Sequence, residues 1–133
     1  MTASPDARAL VVAAADAAAD RLASDIIAFD VSEQLAITDA FLLCSAANER
    51  QVNAVVDAVE ERLLRDFRAK PVRREGERDG RWVLLDYGDI VVHVQHTEER
   101  TYYSLERLWR DCPIIALPEA VPTDAGPAHG GRD

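Results

Sequence analysis

The sequence predicts a single α/β domain in which a mixed β-sheet is covered by about three helices. Helical and strand patterns follow one another in the order helix, two strands, helix, two or three strands, helix. A chain of 133 residues that is 48% hydrophobic buries its own core without disulfides. We expect this domain to span residues 1–117. A disordered tail, rich in proline and glycine, is expected over residues 118–133.

The first three elements follow from caps and periodicity. Ser4 and Pro5 are typical of a helix start, and apolar residues recur at helical spacing to predict a helix over residues 5–23. Residues 25–31 alternate, with Ile27, Phe29 and Val31 on one face of a predicted strand. Residues 40–46 read AFLLCSA, which is typical of a central strand buried on both faces.

A second helix is predicted after Asn48, which forms a capping box with Gln51. The helix ends before Pro71, and its apolar stripe consists of Val52, Val55, Val56, Val59, Leu63 and Phe67. Residues 62–74 carry a net charge of +5. We interpret this stretch as a solvated helix face that complements the negative helix end, with a binding patch as the alternative.

A hairpin and a third helix complete the predicted domain. Residues 75–81 have turn chemistry, and strands over 82–86 and 89–95 are joined by Tyr87 and Gly88, where glycine supplies a positive φ. Thr97, followed by two glutamates, predicts the cap of a helix that reaches about residue 111. Its predicted buried stripe consists of Thr101, Leu105, Leu108 and Cys112.

The net charge and the two cysteines indicate which class of partner and which cellular compartment to expect. The net charge of −9 argues against direct recognition of nucleic acid, which needs an excess of Lys and Arg, and favours a basic protein surface. Cys44 and Cys112 do not have the spacing of a metal or redox motif, so we expect both to be reduced thiols that pack inside the fold. The chain has neither a ~20-residue apolar run nor a leader pattern, so we expect a cytoplasmic protein without a membrane partner.

The hairpin carries the candidate chemistry. Asp86 and Asp89 flank the turn, where carboxylates bind either a divalent metal or the backbone donors of the turn itself. His93 is four residues after Asp89, so a regular strand presents both on one face, an arrangement that suits catalysis or recognition. No phosphate loop or nucleophile elbow is present, and we expect no cofactor. A metal-dependent enzyme using Asp86, Asp89 and His93 remains the alternative.

Two aromatic residues of the hairpin predict a docking surface. Trp82 begins a strand after a charged turn, and Tyr87 occupies the hairpin tip. Tryptophan and tyrosine are the usual anchors of protein interfaces, so a patch around both residues is a candidate docking site. For Trp82, the alternative is a place beneath the first helix.

The sequence resembles the ribosomal silencing factor family, also called RsfS or Iojap. The runs WVLLDYGDIVVHV and EERTYYSLERLW carry the resemblance, and DIIAFDV, ITDAFLLCSA and ERQVNAV match earlier blocks, so that residues 8–112 are covered. The family is similar in fold to nucleotidyltransferases but lacks their paired carboxylates, and residues 44–48 here read CSAAN. Many relatives have an aliphatic residue in place of Tyr87.

The resemblance implies a non-enzymatic repressor of translation. Family members bind the large ribosomal subunit through ribosomal protein L-fourteen and prevent the small subunit from joining when nutrients are short. Their contact positions match Trp82 and Tyr87. We expect Asp86, Asp89 and His93 to complete the partner-binding site, with the carboxylates pairing to Lys or Arg of the partner. Family members also self-associate, which leaves a homodimer open.

Overall fold

A computed structural model of the chain describes residues 2–76, 80–103 and 105–118, without the side chains of residues 102 and 103. It confirms the α/β class with a mixed sheet. The elements are α1 Pro5–Asp20, β1 Ser24–Asp30, β2 Ala40–Ala46, α2 Glu49–Phe67, β3 Arg73–Glu75, β4 Trp82–Asp86, β5 Ile90–His96, α3 Thr97–Tyr103 and α4 Leu105–Leu108. The tail predicted over residues 118–133 lies, apart from Pro118, outside the described residues, and so do residues 77–79 of the predicted turn.

The five strands form one sheet in the order β1-β2-β5-β4-β3. β2 and β5 are parallel, and the other neighbours are antiparallel. A parallel pair needs a long crossover, which α2, β3 and β4 supply between the two strands. The predicted central place of residues 40–46 is confirmed, because β2 pairs on both sides and every residue except Phe41 is buried.

The two faces of the sheet are covered by different parts of the chain. α1 and α2 pack together on one face, against a core that includes Leu42, Val92 and Val94. We call the opposite side the distal face and the stretch of residues 97–118 the C-terminal segment. On the distal face a smaller cluster joins Cys112 of that segment to residues of β1 and β2: Ile27, Phe29 and Leu43. The predicted alternation in β1 is therefore confirmed.

The helix caps explain where α1 and α2 begin and end. The Ser4 hydroxyl accepts the Ala7 N–H at 3.0 Å, and the Asn48 side chain accepts the Gln51 N–H at 2.9 Å, as predicted. α1 ends at Asp20 rather than at residue 23, because Leu22 has a φ of 64° and the Ala23 N–H donates to the carbonyl of Ala18. This is a Schellman ending without its usual glycine.

The charged strand β3 lies within the stretches predicted as a basic helix end and a turn. It has three exposed charged residues and forms an edge beside β4. Charges on an edge strand discourage pairing with another chain. A local pattern of hydrophobic alternation is absent here, so only the pairing with β4 reveals this strand.

The predicted buried stripe of the third helix is wrong at two positions. Thr101 is exposed and Leu108 is 72% exposed. The described helical residues end at Leu108 rather than at about residue 111, so Leu108 occupies the last position of the helix. The predicted Thr97 cap is also wrong, because α3 begins at Thr97 and the Nδ1 atom of His96 accepts the Glu98 N–H at 3.1 Å.

Candidate docking site

The strand register arranges the distal face in three rows of side chains. From β2 through β4 the rows are Ser45, Gln95 and Trp82; then Leu43, His93 and Leu84; then Phe41, Val91 and Asp86. β3 extends the second row with Glu75 and the third with Arg73. From β2 to β4, two of the three side chains in each row therefore come from the hairpin of β4 and β5, and the third comes from β2.

The C-terminal segment covers one half of the distal face. Trp109 packs edge-on against Phe41 with ring centroids 5.1 Å apart. Arg100, only 5% exposed, donates to the Ser45 hydroxyl at 2.9 Å and pairs with Glu106 at 3.0 Å. These contacts hold the segment over β1 and β2. On the other half of the face, the side chains of Trp82, Leu84 and Val91 are partly exposed.

Trp82 contacts His93 on this face. Its indole Nε1–H donates to Nδ1 of His93 at 3.2 Å, and the two ring centroids are 6.1 Å apart. His93 also contacts Phe41 edge-on at 5.3 Å. The alternative placement of Trp82 beneath the first helix is wrong, since α1 covers the opposite side of the sheet.

The environment keeps the His93 ring neutral. Burial lowers the pKa of His93 to about 4, and the nearby Arg100 charge acts in the same direction. Because Nδ1 accepts the indole proton, the ring proton of neutral His93 belongs on Nε2. Nε2 is buried and has no hydrogen-bond partner within residues 2–76, 80–103 and 105–118. The predicted pairing of His93 with Asp89 is wrong, because Asp89 precedes β5 as an exposed turn residue.

The carboxylate of Asp86 stabilises the hairpin turn. One oxygen accepts the Gly88 N–H at 2.8 Å, and the other lies 3.5 Å from the Arg73 guanidinium. Asp86 therefore binds the backbone donor of the turn, which is the alternative to metal binding that the sequence offers. Among residues 2–76, 80–103 and 105–118, no group of three His, Cys, Asp or Glu side chains is placed to hold a metal ion.

Tyr87 lies on the helix side of the sheet. Its ring packs against the core beneath α1 and α2, and its hydroxyl is buried with no hydrogen-bond partner in the described part of the chain. Burial raises the pKa of Tyr87, and the nearby Glu60 carboxylate raises it further, while Arg74 opposes the shift. The prediction of one patch around Trp82 and Tyr87 therefore needs correction, because the two rings project to opposite faces.

A shallow groove runs beside the exposed edge of Trp82. It measures about 280 Å³ and is lined by Glu75, Gly76, Trp82 and Leu84. Gly76 has a φ of +83°, and a Cβ at this position would collide with the carbonyl oxygen of Trp82. The glycine therefore lets the turn pass close to β4 and shapes the wall of the groove.

The buried polar residues beneath the site were not predicted from the sequence. Ser45 and Gln95 are fully buried polar residues of the distal face, and Arg100 is nearly so. For Gln95 a signal was present in the run VVHVQ, where His93 and Gln95 interrupt an apolar strand at a spacing of two. The partner of Ser45 was not visible, since Arg100 is 55 residues away along the chain.

Both cysteines are free and buried. Burial raises the pKa of Cys44 to about 12, and it also raises the pKa of Cys112, with Asp111 and Asp30 adding to the shift. Both thiols are therefore protonated near neutral pH and behave as packing residues. Within the part of the chain that the structure describes, no helix is long and apolar enough to cross a membrane.

The fold and the site define a small α/β protein with a half-covered sheet face that suits docking. A family model described as "Ribosomal silencing factor during starvation" matches residues 4–130. The chain belongs to the ribosomal silencing factor family.

Named relatives and solved structures agree with this assignment. The chain is similar to Ribosomal silencing factor RsfS of Bacillus subtilis (strain 168), with 39% identity over 83% of this chain and 92% of the relative. It is also similar to the chloroplastic protein Iojap of Zea mays, with 32% identity over 80% of this chain and 46% of the relative. A crystal structure of a Chromobacterium violaceum protein, 33% identical, superposes with a TM-score of 0.73 over 86% of this chain and 95% of that one. The bacterial relatives are named as silencing factors and not as enzymes.

Proposed function

We propose that the chain binds the large ribosomal subunit through ribosomal protein L-fourteen and prevents the small subunit from joining. Translation then falls when nutrients are limiting. The observation that carries this proposal is the half of the distal face beyond the described contacts of the C-terminal segment, where Trp82 and Leu84 are partly exposed beside a groove. A partly exposed tryptophan beside a groove is a typical anchor of a protein interface.

Charge around the groove supports a basic protein partner. Glu75 lines the groove, Asp86 lies farther along β4, and Asp89 is an exposed residue of the hairpin turn. The Arg73 guanidinium lies 3.6 Å from Glu75 and 3.5 Å from Asp86, so acids outnumber bases among these four residues. The whole chain carries −9, so phosphate-rich RNA repels it while a basic protein patch attracts it. On a ribosomal surface this combination selects protein over RNA.

Inhibition needs no catalysis in this mechanism. A folded domain held at the face of the large subunit occupies space that the small subunit requires. Its effect then depends on occupancy, and therefore on affinity and concentration. The proposed place of action is the cytoplasm, where subunits join.

Trp82 is the proposed anchor, and Trp82→Ala tests it. We expect this variant to remain folded and to lose co-sedimentation with purified large subunits and inhibition of subunit joining on sucrose gradients. Phe67→Ala is the matched control, because Phe67 is an exposed aromatic residue of α2, 40% exposed and away from the distal face. Unchanged binding by folded Trp82→Ala would remove the assignment of the site.

Tyr87 has a second role in the proposal. Its ring anchors the hairpin tip against the helix side, while its partly exposed edge borders the tip. We expect Tyr87→Ala to weaken binding less than Trp82→Ala does, because its effect reaches the distal face through the position of the turn. Equal losses in the two variants would instead assign Tyr87 a direct contact.

Steering by acidic residues is tested at Asp89. Its exposed side chain makes Asp89→Lys a cleaner charge reversal than a change at Asp86, which holds the turn. We expect slower association and a weaker dependence of the rate on salt. Asp57→Lys on α2 changes the net charge equally and is the control. Identical association rates for both variants would refute local steering.

Self-association is a competing use of the same face. In a homodimer, a second copy of the chain would cover the partly exposed side chains of Trp82 and Leu84. Light scattering of the free protein, with and without purified L-fourteen, separates the two cases. We expect the partner protein to shift any dimer towards a one-to-one complex.

A further inference from the structure

We infer that His93 is a positioning residue, which holds the Trp82 indole in its docking orientation and does not itself touch the partner. The inference rests on the proposed function, because it takes Trp82 as the anchor. It also revises the expected role of His93 as a contact residue.

The geometry separates the two roles. His93 is 7% exposed, whereas Trp82 is partly exposed, so a partner on the distal face reaches the indole before the imidazole. The hydrogen bond from the indole Nε1–H to Nδ1 fixes the rotation of the indole about its side-chain torsions. An anchor that is ordered before binding loses less conformational entropy when it docks.

The imidazole of His93 lies between two aromatic rings, Trp82 and Phe41. Phe41 packs edge-on against it at 5.3 Å, and Trp109 packs edge-on against Phe41 at 5.1 Å. The rings of Trp82, His93, Phe41 and Trp109 therefore contact one another in series, running diagonally from β4 across β5 and β2 to the C-terminal segment. Because the first ring is the proposed anchor, the packing of the C-terminal segment reaches the docking surface through His93.

The acceptor is available throughout the physiological pH range. The pKa of about 4 leaves His93 neutral, and a neutral imidazole with its proton on Nε2 offers Nδ1 as an acceptor. A charged imidazole has no acceptor and would release the indole.

Two substitutions separate the acceptor from the ring. His93→Phe keeps an aromatic ring against Phe41 but removes the acceptor, whereas His93→Asn keeps an acceptor near the position of Nδ1 and removes the ring. The first readout is the indole N–H signal in a ¹H–¹⁵N spectrum of the free protein. The chain has two tryptophans, so Trp109→Phe assigns the signal of Trp82.

We expect the Trp82 indole proton of the unaltered chain to resonate downfield and to exchange slowly with water. His93→Phe should move the signal upfield and accelerate exchange, and His93→Asn should restore part of both. An indole signal and exchange rate that are unchanged in His93→Phe would overturn the inference.

The second readout is a double-mutant cycle with Trp82→Phe, measured as affinity for purified large subunits. His93→Phe should weaken binding roughly two- to tenfold in the unaltered chain, the range expected for loss of one hydrogen bond. In a chain that carries Trp82→Phe it should have no further effect. An equal loss in both backgrounds would overturn the inference by showing that His93 contacts the partner directly.

The two readouts also separate the inference from the proposed function. If the unaltered chain fails to bind large subunits, the proposed function fails. The indole spectrum of the free protein still decides whether His93 holds Trp82, because that measurement involves no ribosome.

Discussion

Arg100 of α3 donates a hydrogen bond to the hydroxyl of Ser45 in β2 at 2.9 Å, across 55 residues of sequence. The same guanidinium pairs with Glu106 at 3.0 Å and is 5% exposed. One buried cation therefore ties the C-terminal segment to the centre of the sheet. The extent of the distal face that remains uncovered depends on this tie.

Arg100→Met should destabilise the protein by about 2–3 kcal/mol, because it leaves the partly buried Glu106 carboxylate without its cation and Ser45 without its donor. Urea unfolding at pH 7 measures the free energy of unfolding. Arg107→Met is the control, since Arg107 is exposed on the neighbouring helix and should change stability by less than about 0.5 kcal/mol. Equal effects of the two changes would contradict the role of Arg100.

Gln95→Met should leave stability unchanged or raise it by up to about 1 kcal/mol. Both amide atoms of Gln95 are buried and have no hydrogen-bond partner among the described residues, so the change removes an unsatisfied polar group at similar volume. The adjacent Ser45→Ala should instead cost about 1 kcal/mol, because the Ser45 hydroxyl accepts from Arg100. Thermal unfolding compares the pair, and a clear loss in Gln95→Met would indicate that ordered water binds the amide.

Acid should destabilise the protein through His93. Its pKa is about 4 in the folded chain against about 6.5 when unfolded, so the unfolded state binds the proton first as pH falls. The contribution is complete above pH 6.5 and is lost progressively down to pH 4. Its size is roughly 3 kcal/mol, at 1.36 kcal/mol per unit of pKa difference.

His93→Phe provides the comparison for this pH dependence. The free energy of unfolding, measured in urea between pH 7 and pH 4, should fall less steeply in the variant than in the unaltered chain. Equal slopes would contradict burial as the cause of the lowered pKa. The charged groups that share this face or pack on it are the same in both chains: Arg73, Glu75, Asp86, Arg100 and Glu106.

Gly76→Ala should cost about 3 kcal/mol or more. Gly76 and Gly88 both have a positive φ, but only at Gly76 does an added Cβ collide with backbone, at the carbonyl of Trp82. Gly88→Ala meets open space and should cost only the ~1 kcal/mol of the left-handed conformation. Thermal unfolding of the pair isolates the collision, and equal costs would contradict the close approach of this turn to β4.

Several elements could be predicted because their signals are local. The Asn48 cap, the positive φ of Gly88 and the double burial of β2 depend on neighbouring residues and on the apolar character of one segment. The location of Trp82 at the start of a hairpin strand also follows from local pattern. Each of these features is set within a few residues of the chain.

The candidate site was less predictable, because its residues meet across strands. The pairing of Trp82 with His93 depends on the register of β4 and β5, and the turn position of Asp89 excluded the pairing with His93 expected from spacing. The exposure of Leu108 depends on which part of the C-terminal segment packs on the sheet. Periodicity within one element contains no information about these relations.

The sequence by itself determined the α/β class, the family to which the chain belongs and the order of the elements apart from β3, because caps, turns, alternating patterns and motifs are properties of contiguous residues. Only the tertiary structure decided that β5 lies between β2 and β4, that Tyr87 and Trp82 project to opposite faces, and that Arg100 holds the C-terminal segment over half of the sheet. These features depend on contacts between residues far apart in the chain, where burial and hydrogen bonding of the whole fold select one pairing among many.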